Sequence, residues 1–507
     1  MTIARRGVLG ALIVLACLAG ACGTRPARTD VAPTPARPLS GEYIATLHTT
    51  YVGPLRFRMA AEPTPDGFKA NTPPGVAWDR MGGLERLLGP VVAPYLFPRG
   101  MILTWESELP TDDGPGQGSI GVGTMDVMRI RTRMTSMTEP IEVRFRDGRL
   151  IALLTLEREP ASWSPPDYPA LAASIREAMP ATLFNPSLAR GAQVRRYLAD
   201  LEQSAALARD DAEFLFGAFF AARANLKITA PLMYPRDDAL SRALFAGRAA
   251  TPQPYRVVHD PATGICTVQF DAFIDDALVD RAFLAALAPA PKAVILDLRS
   301  CSGVDLSSLR AASWLIGEPL DAGVYFSGAA RDQTLDERGR TAGSITFGPT
   351  DASPDLTARL ETMGAARITV QPREGAFTGP LVVLTSSRTS STGESLAIAL
   401  GASRAMKVIG ERTAGKPLLA READLGQGWA LRVAGYDYLS PDGESYTGNG
   451  YSPDIRTSRE VAPRRATGVL RAALGLPEQP DEPDTGRPGP SEVGPSRAGA
   501  ASTAGTP

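Results

Sequence analysis

The chain has 507 residues, of which 44% are hydrophobic and 21% are charged, and its formal net charge is −2. This composition is typical of globular proteins and excludes a wholly disordered chain. At roughly 100–200 residues per domain, the length predicts about three domains. The near-neutral charge offers no general positive field, so we predict no nucleic-acid partner.

The chain begins with a short apolar segment. Two arginines precede the apolar run 7–21, which is shorter than the about 20 residues that a membrane-spanning helix needs. We therefore predict a signal peptide over residues 1–21. The sequence Leu-Ala-Gly-Ala before Cys22 resembles a bacterial lipobox, which predicts lipidation of Cys22, a membrane anchor and a periplasmic location. A plain signal peptide with a chance cysteine is the alternative. The proline-rich residues 22–40 would form a tether.

Residues 41–158 alternate apolar and polar side chains with the period of two that is typical of strands. Leu55, Phe57 and Met59, for example, alternate with arginines. We predict an antiparallel β domain with one face in water. Nothing in this region suggests catalysis, and we interpret His48 as a surface or packing residue.

Residues 159–250 predict a helical segment. Prolines interrupt its first part, 159–186. After Ser187, apolar residues recur at helical spacing, and Asp210 with Asp211 begins a second helix. The second helix carries an aromatic stripe, which is more often core than ligand site.

Residues 251–476 predict an α/β domain. Short apolar runs typical of buried strands lie at 294–298, 381–384 and 406–410. A helix over 393–400 joins the last two strands in a βαβ unit, which implies parallel strands. Residues 477–507 are rich in Pro, Gly, Ser and acidic residues without periodicity, so we predict a disordered tail.

Two cysteines follow Cys22 in the chain. Cys266 lies early in one predicted strand, whereas Cys301 lies just beyond the end of another. If these strands are parallel neighbours, the thiols lie at opposite ends of the sheet, too far apart to form a disulfide. We therefore predict two free thiols.

Polar loops follow the three predicted strands, where α/β proteins place their sites. These loops span 299–303, 386–391 and 410–416, and the last contains Lys416. Such groups suit Ser–Lys catalysis, because a serine hydroxyl needs a base to take its proton. A lysine acts as a base only when neutral, and burial favours the neutral form. We therefore expect Lys416 to turn inward, beneath the start of the helix.

Two other interpretations compete at these residues. Ser391 and Glu394 fit a capping box, in which both side chains only cap the helix. The segment from Gly410 to Lys416 matches the first part of a P-loop, but Pro417 stands where a magnesium-binding Ser or Thr is required. We predict neither a cofactor nor a metal ion.

Several motifs together resemble the carboxyl-terminal processing (tail-specific) serine proteases. They are Leu-Asp-Leu-Arg at 296–299, the run 384–394, Val-Ile-Gly-Glu-Arg-Thr-Ala-Gly-Lys at 408–416 and Gly-Asn-Gly-Tyr-Ser-Pro-Asp at 448–454. The resemblance covers roughly 257–457. It implies an α/β fold with a crotonase/Clp-protease-like, parallel-sheet catalytic domain, here preceded by the antiparallel β domain and the helical segment.

The resemblance also implies site residues and a substrate class. The family nucleophile precedes a Glu by three residues, which selects Ser391. The family lysine follows 25 residues later, which selects Lys416. The oxyanion hole would comprise the N–H groups of Gly303 and Thr392. The implied activity is that of a serine endopeptidase acting on protein or peptide substrates.

The chain departs from the family pattern at several positions. Val304 replaces a glycine, and Ala420 stands where glutamine is frequent. No PDZ module is evident. These departures keep open an alternative function, a catalytically inactive binding or scaffold lipoprotein that retains the protease fold.

Overall fold

The structure is a computed structural model. It describes residues 40–48, 53–71, 104–110, 115–122, 125–135, 139–144, 150–158, 164–226, 231–236, 255–303, 305–331, 343–403 and 406–477. The predicted signal peptide, Cys22, almost all of the tether and all but the first residue of the predicted tail lie outside these residues. Among the helices in the described ranges, none is both long and apolar enough to cross a membrane.

The first part of the chain forms a closed barrel of eight antiparallel strands. The strands are β1 Gly41–His48, β2 Leu55–Pro63, β3 Gly67–Asn71, β4 Thr104–Glu108, β5 Gly116–Val122, β6 Met125–Met134, β7 Ile141–Arg144 and β8 Leu150–Arg158. Pairing of β1 with β8 closes it. Alternate apolar residues, including Phe57 and Trp105, fill the interior. His48 is buried, and its ring nitrogen lies 3.1 Å from the Thr155 hydroxyl, which agrees with a packing role.

In the described part of the chain, four helices follow the barrel: α1 Tyr168–Thr182, α2 Pro186–Ala189, α3 Ala192–Ala205 and α4 Asp211–Asn225. The α1 helix contradicts the expectation that prolines interrupt this region. Pro169 lies in its first turn, where a missing N–H costs nothing, and Pro180 lies in its last turn. The two helices predicted after Ser187 correspond to α3 and α4.

The start of α4 joins the helices to the barrel. The Asp210 and Asp211 carboxylates accept the backbone N–H groups of Arg58 (3.0 Å) and Arg56 (2.7 Å) in β2. The Tyr168 hydroxyl also donates to Asp211 at 2.8 Å. Two neighbouring carboxylates thus satisfy two alternate donors of one strand, which fixes the barrel against α4.

The main sheet of the α/β region has six strands in the order β10-β11-β13-β18-β19-β22. They are β10 Tyr255–Asp260, β11 Ile265–Phe270, β13 Ala293–Asp297, β18 Leu381–Thr385, β19 Lys407–Gly410 and β22 Ile455–Arg456. Only β10 pairs antiparallel to its neighbour, and the other pairs are parallel. The predicted strands and the βαβ unit are therefore confirmed.

Apolar layers cover both faces of this sheet. The helices described in this region are α5 Asp276–Leu287, α6 Ser307–Ser313, α7 Ser353–Met363, α8 Thr392–Ser403 and α9 Ala462–Ala473. Val268, Leu296 and Val383 lie in the main core with residues of α5, α6 and α8. The opposite face packs on α9 through a second cluster that includes Leu470.

A second, mostly antiparallel sheet packs on the other side of α8. Its strands are β9 Leu232–Pro235, β15 Leu320–Ser327, β16 Gly343–Phe347, β17 Ala365–Val370, β20 Leu419–Gly426 and β21 Trp429–Leu439. Their order is β16-β17-β15-β21-β20, with β9 paired to β21. Two short strands, β12 Ala272–Phe273 and β14 Ser302–Gly303, pair with each other. The α8 helix lies between the two sheets, because its residues share the core of the main sheet and its Ser395 hydroxyl lies 2.6 Å from the Tyr325 hydroxyl of β15.

Among the described residues, Cys266 and Cys301 are both buried, and neither forms a disulfide. Cys266 pairs in register with Val294 near the start of β13, whereas Cys301 lies four residues beyond the end of that strand. The thiols therefore lie at opposite ends of parallel neighbours, as predicted. Burial raises the pKa of the Cys266 thiol to about 11, which keeps it protonated and unreactive.

Candidate active site

Three loops meet at the carboxyl edge of the main sheet, after β13, β18 and β19. The Thr389 hydroxyl donates to the carbonyl of Leu298 at 2.8 Å. The N–H of Ala414 donates to the carbonyl of Thr389 at 2.9 Å. The middle loop is therefore bonded to the loops on both sides, which brings the predicted site residues together.

Ser391 occupies the junction between the middle loop and α8. Its φ is +57°, a left-handed conformation that costs a non-glycine residue roughly 1–2 kcal/mol. Its N–H donates to the carbonyl of Lys416 at 2.8 Å. Its hydroxyl donates to the carbonyl of Leu418 at 2.7 Å. The strained turn thus presents both donors of Ser391 to the segment 416–418.

The capping-box alternative is wrong. The N–H of Glu394 donates to the backbone carbonyl of Ser391 at 2.9 Å, and the Ser391 hydroxyl is directed elsewhere. The Glu394 side chain does not return to the N–H of Ser391, which is bonded to Lys416. Neither half of the capping box is formed, so helix capping does not explain Ser391.

Glu394 instead binds the loop that carries the lysine. Its carboxylate accepts the N–H groups of Gly415 (3.0 Å) and Lys416 (2.8 Å), and the Thr413 hydroxyl also donates to it. Burial raises the pKa of Glu394, and these hydrogen bonds oppose that rise. The sequence analysis missed this role. The available signal was that Glu394 and the Gly-Lys loop both belong to the motifs that resemble the protease family.

The side chain of Lys416 is exposed, so the expectation that it turns inward is wrong. The physical reason is that both of its backbone polar groups face the protein, the N–H toward Glu394 and the carbonyl toward Ser391. The side chain therefore leaves on the solvent side. Within the described residues its amine forms neither a hydrogen bond nor an ion pair.

The P-loop alternative also fails in the structure. Pro417 is buried, and the chain continues directly into β20. A P-loop requires a helix at this point, because the phosphates lie at a helix N-terminus. Ala420, at the position where glutamine is frequent, pairs with Ala434 in β21.

Gly303 and Thr392, the two predicted oxyanion donors, are direct neighbours. A Cβ atom at Gly303 would lie 1.8 Å from the Thr392 hydroxyl oxygen and 2.6 Å from its nitrogen, so only glycine fits. The N–H of Gly303 donates to the carbonyl of Ser390 at 3.3 Å. Among the described residues, the N–H of Thr392 has no hydrogen-bond acceptor. Val304 lies outside the described residues.

A late segment of the chain closes over the lysine loop. The N–H of Gly448 donates to the carbonyl of Gly415 at 2.7 Å, and Thr413 exchanges hydrogen bonds with the backbone of Tyr451. Gly415 has a φ of +70° and lies so near Gly450 that a side chain would collide with its nitrogen. The Gly-Asn-Gly-Tyr segment therefore supports the shape of the lysine loop.

Comparison with known proteins finds similarity over the α/β region. Residues 264–457 match the model of Peptidase family S41. A chloroplastic C-terminal processing peptidase of Tetradesmus obliquus is 40% identical over 92 residues, which are 18% of this chain and 20% of that protein. The chloroplastic carboxyl-terminal-processing peptidase 1 of Arabidopsis thaliana is 33% identical over 92 residues, 18% and 19% of the two chains. The matches thus span about a fifth of the curated relatives.

Solved structures provide more distant neighbours. A lipoprotein from Streptococcus agalactiae is 14% identical with a TM-score of 0.43, covering 62% of this chain and 99% of that one. The photosystem II D1 C-terminal processing protease is 15% identical with a TM-score of 0.33, covering 59% and 95%. The family match confirms the resemblance seen in the motifs, and with it the predicted fold class.

Proposed function

We propose that this chain, which carries a Peptidase family S41 domain over residues 264–457, is a serine endopeptidase of the tail-specific type. One observation carries the proposal. The Ser391 hydroxyl lies at a strained strand-to-helix junction, has no capping role and points at the loop that contains Lys416. Its substrates are proteins or peptides.

The proposed reaction is an acyl transfer through Ser391. Its Oγ attacks the peptide carbonyl carbon while the Lys416 amine, in its neutral form, accepts the hydroxyl proton. The N–H groups of Gly303 and Thr392 stabilise the negative oxygen that forms, which is worth a few kcal/mol. The amine then transfers the proton to the leaving nitrogen as the C–N bond breaks. Water hydrolyses the acyl-enzyme by the reverse proton path.

The structure indicates which movements this reaction needs. A carbonyl oxygen cannot take a proton from a hydroxyl, so the bond to Leu418 holds Ser391 unreactive. The hydroxyl must rotate away from Leu418, the exposed side chain of Lys416 must turn toward it, and the N–H of Gly303 must leave Ser390 to bind the substrate oxygen. The hydrogen bond from the Ser391 N–H to the Lys416 carbonyl keeps the backbones of the two residues together.

Two substitutions in the full chain test the dyad. We expect Ser391→Ala and Lys416→Arg each to abolish cleavage of an unfolded protein, since arginine keeps the charge but cannot serve as a base. Ser387→Ala and Lys407→Arg are matched controls at exposed positions and should cleave like the parent. Equal cleavage by all five proteins overturns the assignment.

Two observations favour a second candidate, a non-catalytic binding or scaffold protein. Lys416 is exposed, and the N–H of Gly303 is already bonded within the protein. This candidate predicts that the parent chain cleaves no unfolded protein and does not react with a fluorophosphonate. It also predicts that parent and Ser391→Ala bind peptide equally. Labelling of Ser391 by the fluorophosphonate in the parent would exclude it.

We further propose that the protein is exported and anchored to the periplasmic side of a membrane through a lipid on Cys22. The lipobox-like sequence carries this proposal. Cells that express the chain should incorporate labelled palmitate into it, and Cys22→Ser should prevent incorporation. A parent protein without label would contradict the anchor.

A further inference from the structure

Arginines follow the carboxyl ends of four neighbouring parallel strands. They lie beyond β13, β18, β19 and β22 and are, in that order, Arg299, Arg388, Arg412 and Arg459. Because parallel strands end at the same edge, the four residues lie along the edge that holds the candidate active site. We call this set the arginine rim.

Two members of the arginine rim serve the fold. Arg299 forms an ion pair with Asp297 at 2.7 Å, with both side chains largely buried. Arg459 donates to the hydroxyl of Ser300 at 2.6 Å. These contacts hold the first loop against the segment after the last strand, and the Asp297 carboxylate offsets the charge of Arg299.

The other two members face solvent. Arg388 and Arg412 are exposed, and Arg412 donates only to the carbonyl of Asn449 (3.1 Å) among the described residues. The carboxylate of Glu411, which lies between the strand ends, accepts the N–H groups of Ser387 (3.2 Å) and Arg459 (3.3 Å). Both of its oxygens are therefore bonded to the backbone, and among the described residues it forms no ion pair with Arg388 or Arg412.

The exposed pair flanks the candidate active site. Arg388 precedes Ser391 by three residues, so their Cα atoms lie within about 11 Å. Arg412 precedes Lys416 by four residues, and the bond from Ala414 to the Thr389 carbonyl holds the two loops together. A peptide bound at Ser391 would pass within reach of both guanidinium groups.

We propose that Arg388 and Arg412 bind the carboxylate side chains of a substrate, so that the site prefers peptide segments with Asp or Glu a few residues from the bond that is cleaved. A guanidinium group matches a carboxylate with two parallel hydrogen bonds. This inference rests on the proposed function, whose substrate class it narrows from peptides in general to acidic peptides.

Equilibrium binding tests the preference without hydrolysis. The Ser391→Ala chain is titrated with two fluorescent peptides of equal length that differ only in Asp and Glu against Asn and Gln. We expect roughly tenfold tighter binding of the acidic peptide at low salt and a smaller difference at high salt. Adding Arg388→Gln and Arg412→Gln to this chain should reduce the affinity for the acidic peptide to that for the neutral peptide. Equal affinity for both peptides overturns the proposal.

A matched control removes the same charge elsewhere. Arg190→Gln with Arg196→Gln changes two exposed residues at the helical segment and should keep the preference, which separates local binding from the general field of the protein. Loss of the preference in this control overturns the assignment to the rim.

Two further arms distinguish the alternatives. An acidic peptide with an amidated C-terminus should bind as tightly as the free acid. Weaker binding after amidation would assign the pair to the terminal carboxylate and overturn the side-chain proposal. If the parent chain prefers the acidic peptide but cleaves neither peptide, the proposed peptidase function is wrong and the proposed role of Arg388 and Arg412 stands. If it cleaves both peptides without a preference, only the proposed role of the two arginines is wrong.

Discussion

Two helices of this protein begin with buried carboxylates that bind the backbone of another segment. At α4, Asp210 and Asp211 accept N–H groups of the barrel strand β2. At α8, Glu394 accepts N–H groups of the lysine loop. Asp210 also caps its own helix through the N–H of Glu213, whereas Glu394 caps nothing. The same chemistry therefore serves a domain junction in one case and the candidate active site in the other.

Burial has the same electrostatic effect at both places. It raises the pKa of Asp210 and Glu394, and that of Asp211 to about 6. In each case hydrogen bonds oppose the rise. We therefore expect substitutions at the start of α4 to lower mainly the free energy of unfolding, and substitutions at the start of α8 to lower mainly the rate of hydrolysis. Four measurements test this difference.

The largest effect is expected from removing both carboxylates at α4. Asp210→Ala with Asp211→Ala deprives four donors of their acceptors, those of Arg56, Arg58, Tyr168 and Glu213. At about 1 kcal/mol each, the free energy of unfolding should fall by about 4 kcal/mol in urea denaturation at pH 5. Hydrolysis per folded molecule should persist. An unchanged unfolding midpoint would show that the junction is not held by these residues.

The pH dependence of stability is the next test. The folded pKa of Asp211, about 6, lies above its ordinary value of 3.8. Its stabilising contribution is therefore complete below about pH 4 and is lost as the pH rises through about 6. Relative to Asp211→Asn, the parent should lose up to about 3 kcal/mol between pH 4 and pH 8. Asp355→Asn, at an exposed position, is the control, and parallel profiles of parent and Asp211→Asn would refute the effect.

At α8 the test is Glu394→Gln. The amide nitrogen of glutamine would face the N–H groups of Gly415 or Lys416, and the lysine loop would shift. A displacement of about 1 Å at a reacting group lowers activity roughly 100-fold, which should appear in kcat/KM. Thermal unfolding measures the accompanying loss of stability. The control Glu460→Gln, on the exposed surface, should match the parent. Full activity of Glu394→Gln would show that Glu394 does not position the lysine loop for hydrolysis.

The smallest effects are expected from removing single hydroxyl groups. Thr413→Val and Tyr168→Phe each remove one hydroxyl that donates to a buried carboxylate. Each should cost about 1–2 kcal/mol in the free energy of unfolding. Only Thr413→Val should also lower the rate of hydrolysis, because only Thr413 belongs to the lysine loop. Equal effects of the two substitutions on the rate of hydrolysis would show that α4 and α8 do not differ in this way.

Local patterns predicted most of the α/β fold. Apolar runs placed the strands near their observed bounds, Ala293–Asp297 and Lys407–Gly410, and the helix predicted at 393–400 is the centre of Thr392–Ser403. Closure of the barrel was not predicted, because it depends on pairing of β1 with β8, and periodicity carries no information on such distant partners. The α1 helix was missed because its prolines lie in the terminal turns, where they are tolerated.

The sequence predicted which residues form the candidate site better than it predicted how their side chains are directed. The spacing of Ser391 and Lys416 implied neighbouring loops, and their backbones are bonded. The direction of the lysine side chain depends on which backbone groups face Glu394, and that follows from tertiary contacts rather than from sequence spacing. For the same reason, Glu394 matched a capping pattern that the folded chain does not use.

The Gly-Asn-Gly-Tyr segment has a consequence for the order in which the site is assembled. Residues 448–451 complete the hydrogen bonds of the lysine loop and are among the last of the domain to leave the ribosome. A nascent chain that ends before them contains the serine and the lysine but lacks the backbone partners that shape their surroundings. The hydrogen bonds of the lysine loop are therefore completed only after residues 448–451 have been synthesised.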